Sequence, residues 1–590
     1  MHFYSIYGRG RPLTLICLLA AGAALLPAEK GDKVSPDLSK TSGLFINVII
    51  QYKGAVTSPQ HSAVSGLGGV LQTDLSNVIN ASLYLVPAAA VPALAALPGV
   101  VYISPDRALK PKLEFANPTV NANTARSYGY DGTGIGIAVI DSGIEDRPDD
   151  LTYTSKGSNR ILYSQSFVPN DQSTKDGYGH GSHVSGILAG NGSASAKATA
   201  GHHFVGIAPN ANLINLRVLD STGMASDSSV ISAIGTAIAL KNVYNIRVIN
   251  LSLGRPVFES YTMDPLCQAV ETAWRAGIVV VVAAGNEGRD NTYGTNGYGT
   301  ISAPGNDPLV ITVGAMKDNS TVTRSDDRIA SYSSKGPSQV DHIVKPDLVA
   351  PGNLIVSIAN HDTALFRNNA AAQVSKDYYN GNDNMYFKLS GTSMAAPMVA
   401  GAAALMIQKD RSLTPDTIKA RLMKTATKTF PSSSSATDPT TGVTYISYYD
   451  LFTIGAGYLD VWAALNSTDT VPLGSNASSP AATYGSGGMV TVGGNQPPSS
   501  FNSVWGTNSV WGTNSVWGTN SVWGTSAFSG SSNSVWGTNA VWGTNSVWGT
   551  NSVWGTNSVW GTNAVWGTNS VWGTNADTAE STTTLINGEN

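Results

Sequence analysis

The sequence predicts an α/β fold: a mostly parallel sheet with helices on both faces. Nearly continuous apolar runs, typical of parallel strands buried on both sides, occur at residues 135–140, 213–219, 247–253, 278–283 and 309–315. Helical periodicity lies between these runs, with one face formed by Val230, Ile231, Ile234, Ala237 and Ile238, and again at residues 265–276. Strands that alternate with helices indicate an open parallel sheet, whose functional groups gather at the carboxyl ends of its strands.

The composition limits the classes of protein and partner. At 590 residues, of which 42% are hydrophobic, the chain is long enough for about two to four domains with a sizeable core. A charged fraction of 13% and a net charge of −4 give no reason to expect a nucleic-acid partner. The two cysteines are Cys17 and Cys267. Because Cys17 lies in a segment that we expect to be removed, no internal disulfide is expected in the mature chain.

Residues 1–28 have the pattern of a secretory signal. Arg9 and Arg11 precede an apolar run over residues 13–26, which contains small residues and is followed by charged ones. The run is too short for a comfortable membrane span, so it predicts a secreted, extracellular protein rather than a retained anchor. Residues 29–116 form the next segment.

A small α+β domain is expected within that segment, at about residues 43–110. Strands are predicted at residues 44–51, 80–86 and 100–104, with a short helix at 90–97. This order suits the split βαβ arrangement, and a generic α+β domain fits the same pattern.

Four positions in the central region could carry chemistry, and for some of them another role fits the sequence as well. Ser393 opens an apolar helix, where unpaired N–H groups favour developing negative charge, but Gly-Thr-Ser is also a common helix cap. His180 could act as a general base; His180 and His183 could also ligate a metal, although no third ligand accompanies them. Asp141 and Asn286 each follow a buried strand, where a single aspartate is often only a turn residue.

The joint occurrence of these positions decides between the alternatives. They occur in the segments IAVIDSGI (Asp141), GHGSHVSG (His180), VVVVAAGNEG (Asn286) and LSGTSMAAP (Ser393). With these motifs in this order, residues 117–467 resemble the subtilases, a family of subtilisin-like serine endopeptidases. An α/β-hydrolase esterase is excluded by the order, because its triad runs Ser, Asp, His. A non-enzymatic surface protein with an inactive protease domain is disfavoured, since every catalytic and oxyanion position is filled.

The resemblance implies a role for each residue. Ser393 would be the nucleophile, His180 the general base and Asp141 its orienting partner, with Asn286 in the oxyanion hole. An extended protein or peptide substrate would bind as an added strand. Its binding residues would be Ser252, Leu253, Gly254, Ala283, Ala284 and Gly285, with Glu287 at the pocket rim. The small walls leave room for a large apolar side chain, and Glu287 would also suit a basic one.

The resemblance also covers the N-terminal segment and a metal position. The stretch ALPGVVYISPDR resembles the end of a subtilisin-type propeptide inhibitor domain, which implies an autoprocessed zymogen blocked by its own propeptide. Catalysis would require no cofactor. Asp150 matches a position that ligates structural calcium in subtilisin, but the loop at residues 191–203 is longer and contains Lys197.

The C-terminal part is polar and repetitive. Residues 468–500 are expected to form a flexible linker, residues 501–576 contain SVWGTN hexapeptide repeats, and residues 577–590 form a C-terminal tail. The repeats fit a β array, a low-complexity disordered tail, or an aromatic adhesive that binds a cell surface or insoluble substrate.

Overall fold

The structure, a computed structural model, describes residues 33–35, 38, 44–76, 80–105, 113–145, 149–152, 159–197, 202–292, 294–438, 441–472, 474–484, 490–493, 584–586 and 588–589. The predicted signal segment and the SVWGTN repeats lie outside these residues. The chain divides into two compact units, Met1–Leu109 and Lys110–Asn590. In the part of the chain described, no helix combines the length and apolar character needed to cross a membrane.

The first unit is a four-stranded antiparallel sheet with two helices. Its strands are β1 Phe45–Tyr52, β2 Val70–Asp74, β3 Ala81–Pro87 and β4 Val100–Pro105, and its helices are α1 Ser58–Gly66 and α2 Val91–Ala96. The sheet order is β2-β3-β1-β4, which is that of a split βαβ domain. The unit has its own core, which includes Val48, Ile50, Tyr84, Leu94 and Ile103.

Neither α1 nor β2 is predicted from the sequence. α1 buries only Val64 and therefore has no apolar stripe. It begins after Thr57, whose backbone N–H donates to Gln60 Oε1 at 2.6 Å. β2 is exposed along its whole length, so its sequence does not alternate between buried and exposed residues. Helix capping defines α1 and strand pairing defines β2. Neither feature produces a periodic pattern of apolar residues in the sequence.

The second unit is built on an eight-stranded, almost entirely parallel sheet. Its strands are β5 Gly136–Asp141, β6 Ile161–Ser166, β7 Asn212–Arg217, β8 Ile246–Leu251, β9 Val279–Ala283, β10 Ile311–Lys317, β11 Arg328–Ile329 and β12 Leu348–Pro351. The order is β11-β10-β9-β8-β5-β7-β6, and β12 pairs with β10. Only β11 runs antiparallel to its neighbour. The five predicted strands are confirmed as β5, β7, β8, β9 and β10.

Helices cover the sheet as the α/β prediction requires. The helices of this unit are α3 Leu113–Thr119, α4 Ala122–Ser127, α5 Asp149–Thr152, α6 His180–Ala189, α7 Asp227–Ala239, α8 Lys241–Tyr244, α9 Pro265–Arg275, α10 Ala364–Asn368, α11 Thr392–Lys409, α12 Pro415–Thr425, α13 Leu451–Ile454 and α14 Val461–Asn466. α11 packs against α6 and against β8, β9 and β10, whereas α7 packs against α9. Every residue of α11 from Thr392 to Ile407 is buried, so the apolar run does form a central helix.

Short strands complete the second unit. A three-stranded sheet contains β13 Ile355–Ile358, β14 Gln373–Val374 and β15 Tyr386–Leu389, and two hairpins contain β16 Ser433–Thr437, β17 Thr444–Tyr448, β18 Ala481–Tyr484 and β19 Val490–Gly493. β15 leads directly towards α11, with Ser390 and Gly391 between them. The three-stranded sheet therefore helps to fix where the helix begins.

The folded part of this unit extends beyond the predicted boundary at residue 467. Ser479, in the expected linker, is buried and donates a hydrogen bond from Oγ to Asp347 Oδ1. Asp347 is fully buried between Lys345 and Lys419, at 2.8 and 3.1 Å. Burial alone would raise the pKa of Asp347, but these two lysines hold it below its ordinary value. The start of the expected flexible linker is therefore packed onto the domain, because its polar residues pair with buried charges.

Candidate active site

Three neighbouring strands bring the predicted site residues to one edge of the sheet. Asp141 is the last residue of β5, Ser252 follows β8, and Asn286 follows β9. β5, β8 and β9 are consecutive in the sheet and parallel. Their carboxyl ends consequently meet at the same edge, where ligands bind in open α/β sheets.

Asp141 and His180 form a buried, hydrogen-bonded pair. His180 Nδ1 donates to Asp141 Oδ1 at 2.8 Å, and their side chains are only 7% and 1% exposed. With the Nδ1 proton held by the carboxylate, Nε2 of the neutral imidazole is left as a proton acceptor. Burial alone would lower the pKa of His180, but the charge and hydrogen bond of Asp141 raise it above its ordinary value.

Asp176 holds His180 in position, a role that the sequence analysis does not identify. Its carboxylate accepts hydrogen bonds from the N–H of Gly179 at 2.6 Å and of Ser182 at 2.8 Å, at the start of α6. Ser142, next to Asp141, also donates from Oγ to Asp176 at 2.8 Å. Asp176 thus joins the helix of the histidine to the strand of its aspartate. An acidic residue just before a helix is the available signal, and it is a common capping pattern.

His183 has a structural role. It is fully buried, and its Nε2 lies 3.1 Å from the carbonyl oxygens of Ile355 and Phe387. Burial lowers its pKa to about 3, so it is neutral at ordinary pH. The ring bridges β13 and β15 instead of forming a metal pair with His180.

Ser393 lies in the first turn of α11 and is 9% exposed. Its Oγ donates to the carbonyl oxygen of Ser252 at 3.1 Å, and Ser252 Oγ donates to the Ser393 carbonyl oxygen at 2.9 Å. This reciprocal pair fixes the start of α11 against the end of β8. The Ser393 N–H lies in the first turn of the helix, where N–H groups have no partner within the helix.

Asn286 is held against the same turn. Its Oδ1 accepts hydrogen bonds from the Thr392 N–H at 2.9 Å and the Thr392 hydroxyl at 3.2 Å. These bonds orient the side chain and leave its amide NH₂ group as a donor for the cleft. Gly391 has φ of 151°, and a Cβ there would lie 3.3 Å from Asn286 Nδ2. Glycine at this position therefore keeps the space beside the amide open.

A cleft of about 320 Å³ contains His180, Ser393 and Asn286 in its walls. The remaining lining residues include Tyr178, Gly223, Met224, Ala225, Ser226, Ser252, Leu253 and Gly254. The predicted binding residues 252–254 thus line one cleft with the predicted catalytic residues, and the segment 223–226 lines the same cleft. Its volume is within the range of ligand sites in proteins.

A second, smaller cavity of about 120 Å³ adjoins the cleft at Gly254. It is lined by Gly254, Arg255, Pro256, Val257, Glu287, Thr300, Ile301, Ser302 and Gln339. Glu287 Oε2 accepts a hydrogen bond from the Asn286 N–H at 2.7 Å, so the carboxylate is turned towards the backbone of the oxyanion residue. Apolar Val257 and Ile301 line the same cavity as Glu287, and the side-chain preference of the pocket stays a prediction.

Ala283, Ala284 and Gly285, which the sequence predicts as binding residues, are not among the residues that line the cleft or the smaller cavity. Ala283 and Ala284 are buried, and Ala284 accepts a hydrogen bond from the Ser302 N–H at 3.0 Å. A Cβ on Gly285 would lie 2.4 Å from Ser302 Oγ. A larger residue at 285 would therefore displace the serine in the wall of the small cavity.

Protein donors, not other carboxylates, surround Asp150, the predicted calcium ligand. Its Oδ1 accepts hydrogen bonds from Ala194 N–H at 2.7 Å and Ser193 Oγ at 3.1 Å, and its Oδ2 accepts one from Tyr386 at 2.6 Å. The described residues contain no group of three or more His, Cys, Asp or Glu side chains that could hold a metal. The arrangement around Asp150 does not fit a carboxylate-rich calcium site, and calcium binding stays a prediction.

The raised pKa of His180 predicts the pH dependence of activity. A general base must be neutral, so kcat/KM should fall as the pH decreases through the His180 pKa. We expect the midpoint of this acidic limb above pH 6.5, the approximate value for an unperturbed histidine. Asp141→Asn should lower activity by about 10⁴ and move the remaining limb to lower pH. A wild-type midpoint below that of a free histidine would contradict the role of the Asp141 charge.

The fold and the site define a class of enzyme. A family model described as the subtilase family matches residues 132–443, which is more than half of the chain and contains Asp141, His180 and Asn286. The chain belongs to the subtilase family and is a subtilisin-like serine endopeptidase.

Individual relatives agree with this membership. Serine protease AprX of Bacillus subtilis (strain 168) is 36% identical over 338 residues, 55% of this chain and 69% of its own length. Subtilisin DY of Bacillus licheniformis is 34% identical over 52% of this chain and 90% of its own. Subtilisin E of Bacillus subtilis (strain 168) is 32% identical over 66% of this chain and 86% of its own.

Proposed function

We propose that this chain is a secreted endopeptidase, made as an autoprocessed zymogen, that cleaves proteins through an acyl-enzyme on Ser393. The observation that carries the proposal is the common cleft: Ser393 lines the same cavity as His180, which is hydrogen-bonded to Asp141. Catalysis then needs no group beyond those of the chain and a water molecule.

The first half of the reaction forms the acyl-enzyme. Ser393 Oγ exchanges its bond to the Ser252 carbonyl for one to His180 Nε2, and attacks the peptide carbonyl carbon while its proton passes to the histidine. Asp141 stabilises the imidazolium that results. The oxygen of the tetrahedral intermediate accepts hydrogen bonds from the Asn286 amide and the Ser393 N–H. The C–N bond then breaks, and the leaving amine takes the proton from His180.

The second half regenerates the enzyme. Water gives a proton to His180 and attacks the ester carbon, and the same two donors stabilise the second oxyanion. The ester bond breaks, the acid product leaves, and Ser393 Oγ recovers the proton from the histidine. Both segments 223–226 and 252–254 line the cleft, and the substrate is an extended peptide that adds to them as a strand.

The zymogen proposal rests on the first unit. Its split βαβ topology and its separate core allow residues 29–110 to act as a folded inhibitor domain. The bond that is cut lies between about residues 107 and 120, a stretch of which residues 107–112 are outside the described part. Release of this domain by Ser393 would activate the protease.

The isolated segment 29–110 should inhibit the mature enzyme when added in trans. Inhibition should be competitive with a peptide substrate and should fade as the segment is digested. The measurement is initial rate against segment concentration. As a matched control, the same segment with Ile50→Asp, which places a charge in its core, should not inhibit. If the intact segment neither inhibits nor assists refolding, the inhibitor-domain proposal fails.

Secretion is proposed from the N-terminal signal pattern, which lies outside the described residues. The SVWGTN repeats also lie outside them, and their retention of the enzyme on a cell surface or insoluble substrate stays a prediction.

A further inference from the structure

The last described residues of the chain lie against the catalytic domain. Residues 584–586 form a helical turn, and residues 588–589 follow it. Thr584 and Glu589 are only 4% and 5% exposed, and Leu585 and Ile586 pack against the core of the second unit. These residues belong to the predicted C-terminal tail, residues 577–590.

Glu589 occupies a buried binding site for a carboxylate. Its Oε1 accepts hydrogen bonds from Arg289 Nη2 at 3.0 Å and from Ser331 N–H at 2.6 Å, and a further, short one from the Ser331 hydroxyl. The Arg289 and Glu589 side chains are 8% and 4% exposed. Such charge-assisted bonds in a buried setting are strong and orient the ligand.

Asn353 recognises the backbone of the same residue. Its Nδ2 donates to the Glu589 carbonyl oxygen at 2.8 Å, and its Oδ1 accepts from the Glu589 N–H at 2.7 Å. The side-chain amide therefore pairs with the peptide backbone as a neighbouring strand would. The carboxylate of Glu589 is bound by Arg289 and Ser331, and its main chain is bound by Asn353. We call these three residues the anchor site.

Arg289 is held ready for this contact. Its Nε donates to Ser331 Oγ at 2.8 Å, its Nη1 pairs with Asp438 at 3.1 Å, and its guanidinium lies 5.1 Å from the Tyr445 ring centre. These contacts fix the plane of the guanidinium while Nη2 faces Glu589. Arg289 is three residues beyond Asn286, so the anchor site adjoins the oxyanion residue along the chain.

Leu585 connects the anchor site to the catalytic cleft. It lines the same cleft as His180 and Ser393. Its carbonyl oxygen accepts a hydrogen bond from the Ser390 N–H at 2.7 Å, three residues before Ser393. Leu585 therefore occupies part of the cleft wall along which a peptide substrate would bind.

The conformation of the segment explains why it would bind without being cut. The Gly588 N–H donates to the Thr584 carbonyl oxygen at 2.9 Å, which closes a helical turn. Gly588 has φ of 57°, and a Cβ there would lie 2.3 Å from Ser390 Oγ. A protease holds its substrate as an extended strand, so a closed turn does not present a carbonyl group to the serine.

We propose that the described tail residues, 584–586 and 588–589, are a built-in ligand of the protease, anchored by Glu589 in the Arg289–Ser331–Asn353 site, that competes with peptide substrate through Leu585. Because the ligand is part of the same chain, its binding is intramolecular, so modest intrinsic affinity is enough to occupy the site. The proposed inhibition depends on the proposed function of the catalytic cleft. The anchor site does not, because it is argued only from the contacts of Glu589.

Kinetics of the full chain test the inhibition. Glu589→Gln should lower KM for a short chromogenic peptide several-fold and leave kcat unchanged, because it releases a competitor. Leu585→Ser, which leaves the anchor intact, should lower KM as well. Asp577→Asn is the matched control: it removes the same charge from the same tail and should behave as wild type. Thermal unfolding of each variant checks that the domain is folded.

Binding in trans tests the anchor site without relying on activity. A fluorescent peptide of residues 577–590 should bind the full-length double variant Ser393→Ala, Glu589→Gln, and the same peptide with glutamine at 589 should bind about tenfold more weakly. If this binding occurs but wild type hydrolyses no peptide, the proposed function fails and the anchor site stands. If wild type is active, Glu589→Gln has unchanged KM and neither peptide binds, the inference is overturned and the proposed function is not.

Discussion

Ser393→Ala should abolish peptide hydrolysis and, equally, the release of the N-terminal unit. Both reactions use the same nucleophile, and the Ser393 hydroxyl lines the cleft that contains His180. The expected loss in kcat is about 10⁶-fold, the magnitude known for the triad serine of subtilisin. The measurements are turnover of a short peptide and electrophoretic analysis of the full chain during incubation.

Ser185→Ala is a suitable control for that substitution. Ser185 is a buried serine in α6, and among the described residues its Oγ has no hydrogen-bond partner. Its replacement removes a hydroxyl group without breaking a contact, so activity and processing should continue. If Ser393→Ala were processed at the wild-type rate, the nucleophile would have to lie elsewhere.

Asn286→Ala should reduce kcat by about 10²–10³, the magnitude known for the loss of this donor in subtilisin, with KM nearly unchanged. The physical reason is that the amide donates to an oxygen that carries charge only in the transition state. The two bonds from Thr392 to Asn286 Oδ1 fix the direction of the amide before the substrate arrives. Steady-state kinetics on a short peptide separate the two parameters.

The opposite kinetic pattern would contradict that assignment. A raised KM with unchanged kcat would make Asn286 a ground-state binding residue. Because the substitution also removes both bonds to Thr392, thermal unfolding should be compared with that of wild type. If the variant is folded, its reduced kcat can be attributed to the loss of oxyanion stabilisation by Asn286.

The sheet and the position of the site were predictable from local patterns. The apolar runs that became β5, β8 and β9 identify strands buried on both faces, and the polar residue after each strand must lie at the carboxyl edge. Asp141 and Asn286 follow from that rule. The Asp141–His180 distance does not, because it depends on how Asp176 and Ser142 hold the start of α6.

The burial of polar residues in the C-terminal part of the chain was less predictable, for a physical reason. Ser479 and Glu589 are polar residues in polar segments, so composition favours exposure. Both are buried because partners distant in the sequence pair with them: Asp347 in one case, Arg289 and Ser331 in the other. A single sequence carries no periodic signal for such pairings. β6, half-exposed at the edge of the main sheet, was missed for the related reason that its pattern is neither fully apolar nor strictly alternating.

Covalent labelling tests the central claim, nucleophilic catalysis by Ser393, most directly. The full chain is treated with a serine-directed acylating inhibitor, and the modified residue is located by mass spectrometry of its peptides. The account predicts one label per active molecule on the peptide that contains Ser393, formed more slowly as the pH decreases through the raised pKa of His180. Hydrolysis that continues in fully treated enzyme, or a label on any other residue with loss of activity, would contradict it.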